Sequence, residues 1–232
     1  MSYEGFTSQY RTIGRVAAWA VFFLGLIYAV TTALGFLSLE SPQDQIGDPY
    51  FSIMELLTII MAPLMVVTMI AVHAYAPPEV KAYSFTALIF MIFLAGITSS
   101  VHFVILTVGH QVEATGLPWV PLFLSFKWPS VVYALDILAW DWFFALSMLF
   151  AAPVFKAGRL ESTMRTLMII SGFLSLAGLI GVPLADMQIR NIGIIGYGVM
   201  APIVFLLLGI ILGRTQNMAE DAERSRYSQS GV

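Results

Sequence analysis

Cysteine is absent from this chain of 232 residues, histidine occurs three times, and Asp, Glu, Lys and Arg together make up only 11%. The missing cysteine excludes disulfides, thiol nucleophiles and iron–sulfur ligation. The missing charge excludes water as the main solvent, since an ordinary soluble domain carries about a quarter charged residues. There is no basic run, and the net charge is only -3, so nothing marks a nucleic-acid partner. No removable signal peptide is expected, because MSYEGFTSQYRTIGR runs into a full-length apolar segment without a small-residue cleavage pattern.

What is present is apolar: 59% of the residues are hydrophobic. A bilayer core needs about 20 such residues per helix, and six stretches meet or approach that length, at 15–38, 51–75, 82–108, 129–153, 163–186 and 190–213. Their runs are continuous and do not alternate with period two, which predicts helices over barrel strands. The expected fold is therefore an all-α integral membrane protein, a six-transmembrane-helix bundle filling residues 1–214, with a short polar cytoplasmic tail at 215–232. The length is consumed by spans, so any chemistry has to be done between helices.

Lysine and arginine in short loops set the orientation. With both termini on one face, that face holds Arg11, Arg15, Lys81, Lys156, Arg159, Arg165, Arg214, Arg224 and Arg226, and the other holds only Lys127 and Arg190. Both termini are therefore expected in the cytoplasm, in a cell membrane of the bacterial inner-membrane type. The loop GLPWVPLFLSFKWPS (116–130) is too apolar for a solvated loop, and Pro118, Pro121 and Pro129 prevent one long helix. It reads either as an interfacial anchor through Trp119 and Trp128 or as a lid over a site. AWAVFF (18–23) resembles AWDWFF (139–144), and MELLTII (54–60) resembles MRTLMII (164–170). These short matches are compatible with a weak 3+3 inverted repeat, although apolar chains produce such matches by chance.

Ionisable residues inside spans are costly and are functional candidates by default. At about 1.5 Å of rise per residue, Glu55 lies one turn below the outer surface, His102 and Asp136 two turns below, and Asp141 near the midplane. Together with Trp140 and Ser99 they form the expected ligand-binding set, an outward-facing polar pocket walled by Trp140, Trp142 and neighbouring aromatics. Thr98 and Ser99 precede His102 by four and three residues, on the same helix face, and are expected to fix its ring. Asp141 is five residues beyond Asp136, about 140° round an α-helix. The two should therefore diverge unless the helix is kinked or buried on most sides. Asp186 and Arg190, four residues apart, read as an interfacial ion pair, and His73 as an interfacial histidine.

His102, Glu55 and Asp136 are weak metal-ligand candidates, because no His-x-x-x-His or Glu-x-x-His pair supports them. Bis-histidine haem is disfavoured by the opposite-side placement of His73 and His102, and no Gly-x-Ser-x-Gly turn precedes Ser99 or Ser100. The cofactor is therefore unassigned. The glycines of GLIGV (178–182) and GIIGYGVMAP (193–202) read as close helix packing. The resulting expectation is a protein that binds or moves a small amphipathic or lipid-like molecule or a cation, with the lipid bilayer as its first partner. An intramembrane enzyme acting on a lipid-like substrate is the alternative. A non-catalytic subunit, its acids meeting a partner's cation, is the third reading.

Overall fold

In a computed structural model, residues 6–41, 44–113, 115–156 and 158–214 are described. The expected polar tail at 215–232 lies outside them. Six helices among the described residues are long and apolar enough to cross a membrane: α1 (Ser8–Leu37), α2 (Tyr50–Tyr75), α3 (Pro78–Gly109), α4 (Val131–Val154), α5 (Gly158–Gly181) and α6 (Met187–Arg214). Among the described residues there is no strand. A further short helix, Val120–Leu124, lies in the connection between α3 and α4.

Helix ends follow local chemistry. α4 starts behind Pro129, where the Ser130 side chain caps it by accepting from the Tyr133 amide. α5 starts and ends about five residues earlier than the expected 163–186. Arg159, Glu161 and Arg165 belong to its solvated first turns, and it stops before Pro183, which has no amide hydrogen to continue the ladder. At the end of α2, Lys81 donates from Nζ to the carbonyls of His73 (2.6 Å) and Ala74 (3.2 Å), satisfying groups that the helix leaves open. His73 Nδ1 is 2.8 Å from Ser84 Oγ, which places this histidine at the α2–α3 corner.

Consecutive helices are neighbours, from α1 against α2 to α5 against α6. Burial separates them. In the most apolar window of α4, 56% of residues are buried, against 17% in α1, so α4 is central and α1 peripheral. Large apolar side chains such as Ile13, Val16, Phe23, Ile27 and Val30 cover the outside of α1, as a polytopic membrane protein requires. The apolar core sits in the half nearer the termini, where Met65, Met69, Met91, Met148, Met164 and Met168 pack with Phe144, Phe155 and Phe205. Two buried hydroxyls tie helices together: Ser147 Oγ donates to the Ala87 carbonyl at 2.8 Å, joining α4 to α3. Ser171 Oγ donates to the Gly196 carbonyl at 2.8 Å, joining α5 to α6.

Among the described residues three stretches widen into π-helical turns: Ile105–Gly109 at the end of α3, Leu138–Phe144 in α4 and Ile195–Met200 in α6. AWDWFF lies within the second of these, whereas AWAVFF, its counterpart in α1, is ordinary α-helix.

Candidate functional site

The π-helical turn in α4 decides where its two aspartates point. An α-helix would separate Asp136 from Asp141 by about 140°, whereas i→i+5 bonding brings residues five apart close to one line. Both carboxylates therefore reach the same side. Asp141 Oδ2 is 3.2 Å from Arg190 Nη2, and Asp136 Oδ2 is 3.8 Å from the same nitrogen. The expected divergence of the two acids is corrected by this local widening, in a helix buried on most sides.

Arg190 is only 3% exposed, which overturns its expected pairing with Asp186 at the interface. Asp186 instead caps the first turn of α6, accepting from the amides of Gln188 (2.9 Å) and Ile189 (3.2 Å). Once that carboxylate is committed to the backbone, Arg190 turns inward. Its guanidinium carbon lies 5.2 Å from the Tyr133 ring centre and 5.8 Å from that of Tyr197, so two π faces help to hold the charge. The close packing read from the glycines also has a local purpose. A β-carbon at Gly178 would stand 2.6 Å from Asp141 Oδ1, and one at Gly193 would overlap it. Both helices are thus bare where the carboxylate fits.

His102 continues the chain of contacts. Its Nδ1 is 2.7 Å from Glu55 Oε2, and its Nε2 is 3.4 Å from Asp136 Oδ1, the latter an ion-pair contact without a well-formed hydrogen bond. The ring is thus fixed by two carboxylates, and Thr98 and Ser99 do not fix it: the Thr98 hydroxyl is buried without a hydrogen-bond partner, and Ser99 is half-buried on the same helix. The result is one buried line, Glu55–His102–Asp136–Arg190–Asp141, contributed by α2, α3, α4 and α6. Each nitrogen of the imidazole faces a different carboxylate, so the His102, Glu55 and Asp136 donors do not converge on one point. No group of three such side chains among the described residues is arranged to hold a metal ion.

A cavity of about 710 Å³ opens at the end of the bundle away from the termini. Glu55 is the one member of the buried line on its wall; His102, Asp136 and Asp141 lie behind, and neither Ser99 nor Trp140 lines it. Trp140 packs instead on Tyr197 with ring centres 5.3 Å apart, while Trp142 is 44% exposed on the outside of the bundle and walls nothing. The aromatic walls are Tyr28, Phe36, Phe51 and Phe126. Phe126 comes from the apolar 116–130 connection, which folds over the cavity from Gly116 to Phe126, and its ring centre is 5.6 Å from that of His102. Trp119 of that connection remains 46% exposed, so the segment covers the cavity and also presents an indole outward. Among the described lining residues the acids are Asp44, Asp48 and Glu55, and none is Lys, Arg or His.

From the excess of acids over cations within the spans, sequence reasoning gives Arg190 or Lys127 as a cation reaching in from the edge, beside the reading of Arg190 as the partner of Asp186, and the structure brings Arg190 to Asp136 and Asp141. Two contributors are missed. Tyr28 and Tyr197 carry no such signal, because a tyrosine in an apolar helix is unremarkable until its neighbours are known. The chain matches no protein-family model, no curated protein and no solved structure.

Proposed function

We propose that this is a polytopic membrane protein of the cell membrane, with both termini cytoplasmic, that binds or translocates a small amphipathic or lipid-like molecule bearing a cationic end. The binding place is the outward-opening cavity, with Glu55 as its charged anchor. The observation that carries this reading is the lining itself: Glu55, with Asp44 and Asp48, set among the aromatic faces of Tyr28, Phe36, Phe51 and Phe126. Acids select positive charge, and aromatic faces hold an organic cation that an apolar tail keeps in place. His102, Asp136 and Asp141 serve as the buried support of Glu55, with Trp140 and Ser99 outside the cavity. A weak 3+3 relation of the two halves is compatible with the neighbour order α1 to α3 and α4 to α6.

An enzyme with His102 as base or ligand is less well supported, since each ring nitrogen faces a buried carboxylate and neither faces the cavity. A subunit whose acids await a partner's cation is less well supported too, because Arg190 meets two of them internally.

Two ions of nearly equal size and opposite charge test the reading. Tetraphenylphosphonium is expected to bind the purified protein saturably and tetraphenylborate not to, with E55Q losing the phosphonium. Equal uptake of both ions, or unchanged binding by E55Q, would sink the proposal.

A further inference from the structure

The buried line behind the cavity does not balance in charge. Glu55, Asp136 and Asp141 bring three carboxylates, while Arg190 and His102 bring at most two positive charges, His102 its share only when doubly protonated. Among the described residues the other titratable groups around the line are Tyr28 from α1, Tyr133 from α4 and Tyr197 from α6, all neutral as phenols, together with Asp44 and Asp48, which share the cavity wall with Glu55. α5 faces it with Gly178 and Ser175, which do not titrate. At least one negative charge is left over in a place shielded from water, with Glu55, His102, Asp136, Asp141 and Arg190 each no more than 6% exposed. An uncompensated charge in such a place is too costly to stand.

We infer that the line stores one exchangeable proton and that a cation bound against Glu55 drives it out, so that the site exchanges a monovalent organic cation for a proton. The inference rests on the cation-binding reading above. With the cavity free of cation, a proton on one of the three carboxyls completes the balance, and the coupled acids share it as a unit. When the cation arrives beside Glu55 it supplies the missing positive charge. The carboxyl O–H bond then breaks, its electron pair stays on the oxygen, and the proton passes to cavity water by way of Glu55, the member on the cavity wall. No electron transfer is involved. Proton and cation compete for the same negative charge, so lowering the pH weakens cation binding, by about tenfold per pH unit where the proton is held.

The test uses the full chain in detergent, in lightly buffered solution with a pH-indicator dye, titrated with tetraphenylphosphonium, whose permanent charge carries no proton of its own. About one proton released per cation bound is expected from the balance, with Kd rising as pH falls. E55Q leaves two acids against two cations and is expected to release none. Binding without proton release, or a Kd indifferent to pH, would overturn the exchange while leaving cation binding intact, whereas undiminished release by E55Q would overturn both. Failure of the wild-type protein to bind the ion at all would overturn both. The wild-type proton count and pH series stand whether or not the variant folds.

Discussion

Replacing Arg190 by methionine removes one charge and keeps most of the volume. Arg190 is 3% exposed and Asp141 fully buried, with Nη2 3.2 Å from Oδ2 and a second carboxylate, that of Asp136, at 3.8 Å. Removing one partner of a buried ion pair strands the other charge, which costs about 3–5 kcal/mol. Replacing both partners by apolar residues of similar volume is about neutral or even stabilising. R190M is therefore expected to lose about 3–5 kcal/mol, and R190M with D141L to recover most of that loss. Unfolding by SDS in mixed micelles, followed through tryptophan fluorescence, measures both; Trp140, packed 5.3 Å from Tyr197, reports on the site itself. A loss under about 1 kcal/mol for R190M would refute the reasoning, since that is the behaviour of a solvated surface pair. So would a double variant as unstable as the single one, because the cost would then not come from the stranded Asp141.

Three further outcomes follow from local geometry. G193A puts a β-carbon onto Asp141 Oδ1, so it should displace that carboxylate from Arg190 and lower the unfolding free energy by about 1–3 kcal/mol, the cost of forcing atoms into a filled interior; the same micelle unfolding assay reads it. Ala185, in the turn between α5 and α6, has φ of 52°, and A185G should raise the thermal midpoint in detergent by relieving about 1 kcal/mol of left-handed strain; a lowered midpoint would count against it. The absence of cysteine makes single-cysteine labelling clean: E40C should react with an impermeant maleimide in intact cells and R159C only after permeabilisation, and the reverse pattern would overturn the proposed orientation.

The number of helices and the identity of the costly residues were legible in the sequence because both depend on local composition. A run of apolar residues of bilayer length reads the same wherever its neighbours are, and Glu55, His102, Asp136 and Asp141 stand out against it without any contact being known. Helix ends were nearly legible too, except at α1, which begins at Ser8 and not at the expected 15, and at α5, whose charged first turns fall outside the expected range and whose expected end runs past Pro183.

Which of those residues meet was a different matter. Helical spacing alone sends Asp136 and Asp141 apart, and only the π-helical turn at Leu138–Phe144 brings them to one guanidinium. A change from i→i+4 to i→i+5 bonding leaves no signature in composition, and here it falls where α4 packs between α3, α5 and α6. Arg190 and Asp186 show the same limit: four residues apart, they look like a pair. The open amides of the first turn of α6 take the carboxylate, and the buried acids of α4 take the cation. The sequence by itself determined a helical, membrane-length chain with acids too costly to be idle. The tertiary structure decided that these acids form one line, that Glu55 alone carries it to a cavity, and that the line holds one more acid than base, because these properties depend on contacts between residues 47 and 49 positions apart in the chain.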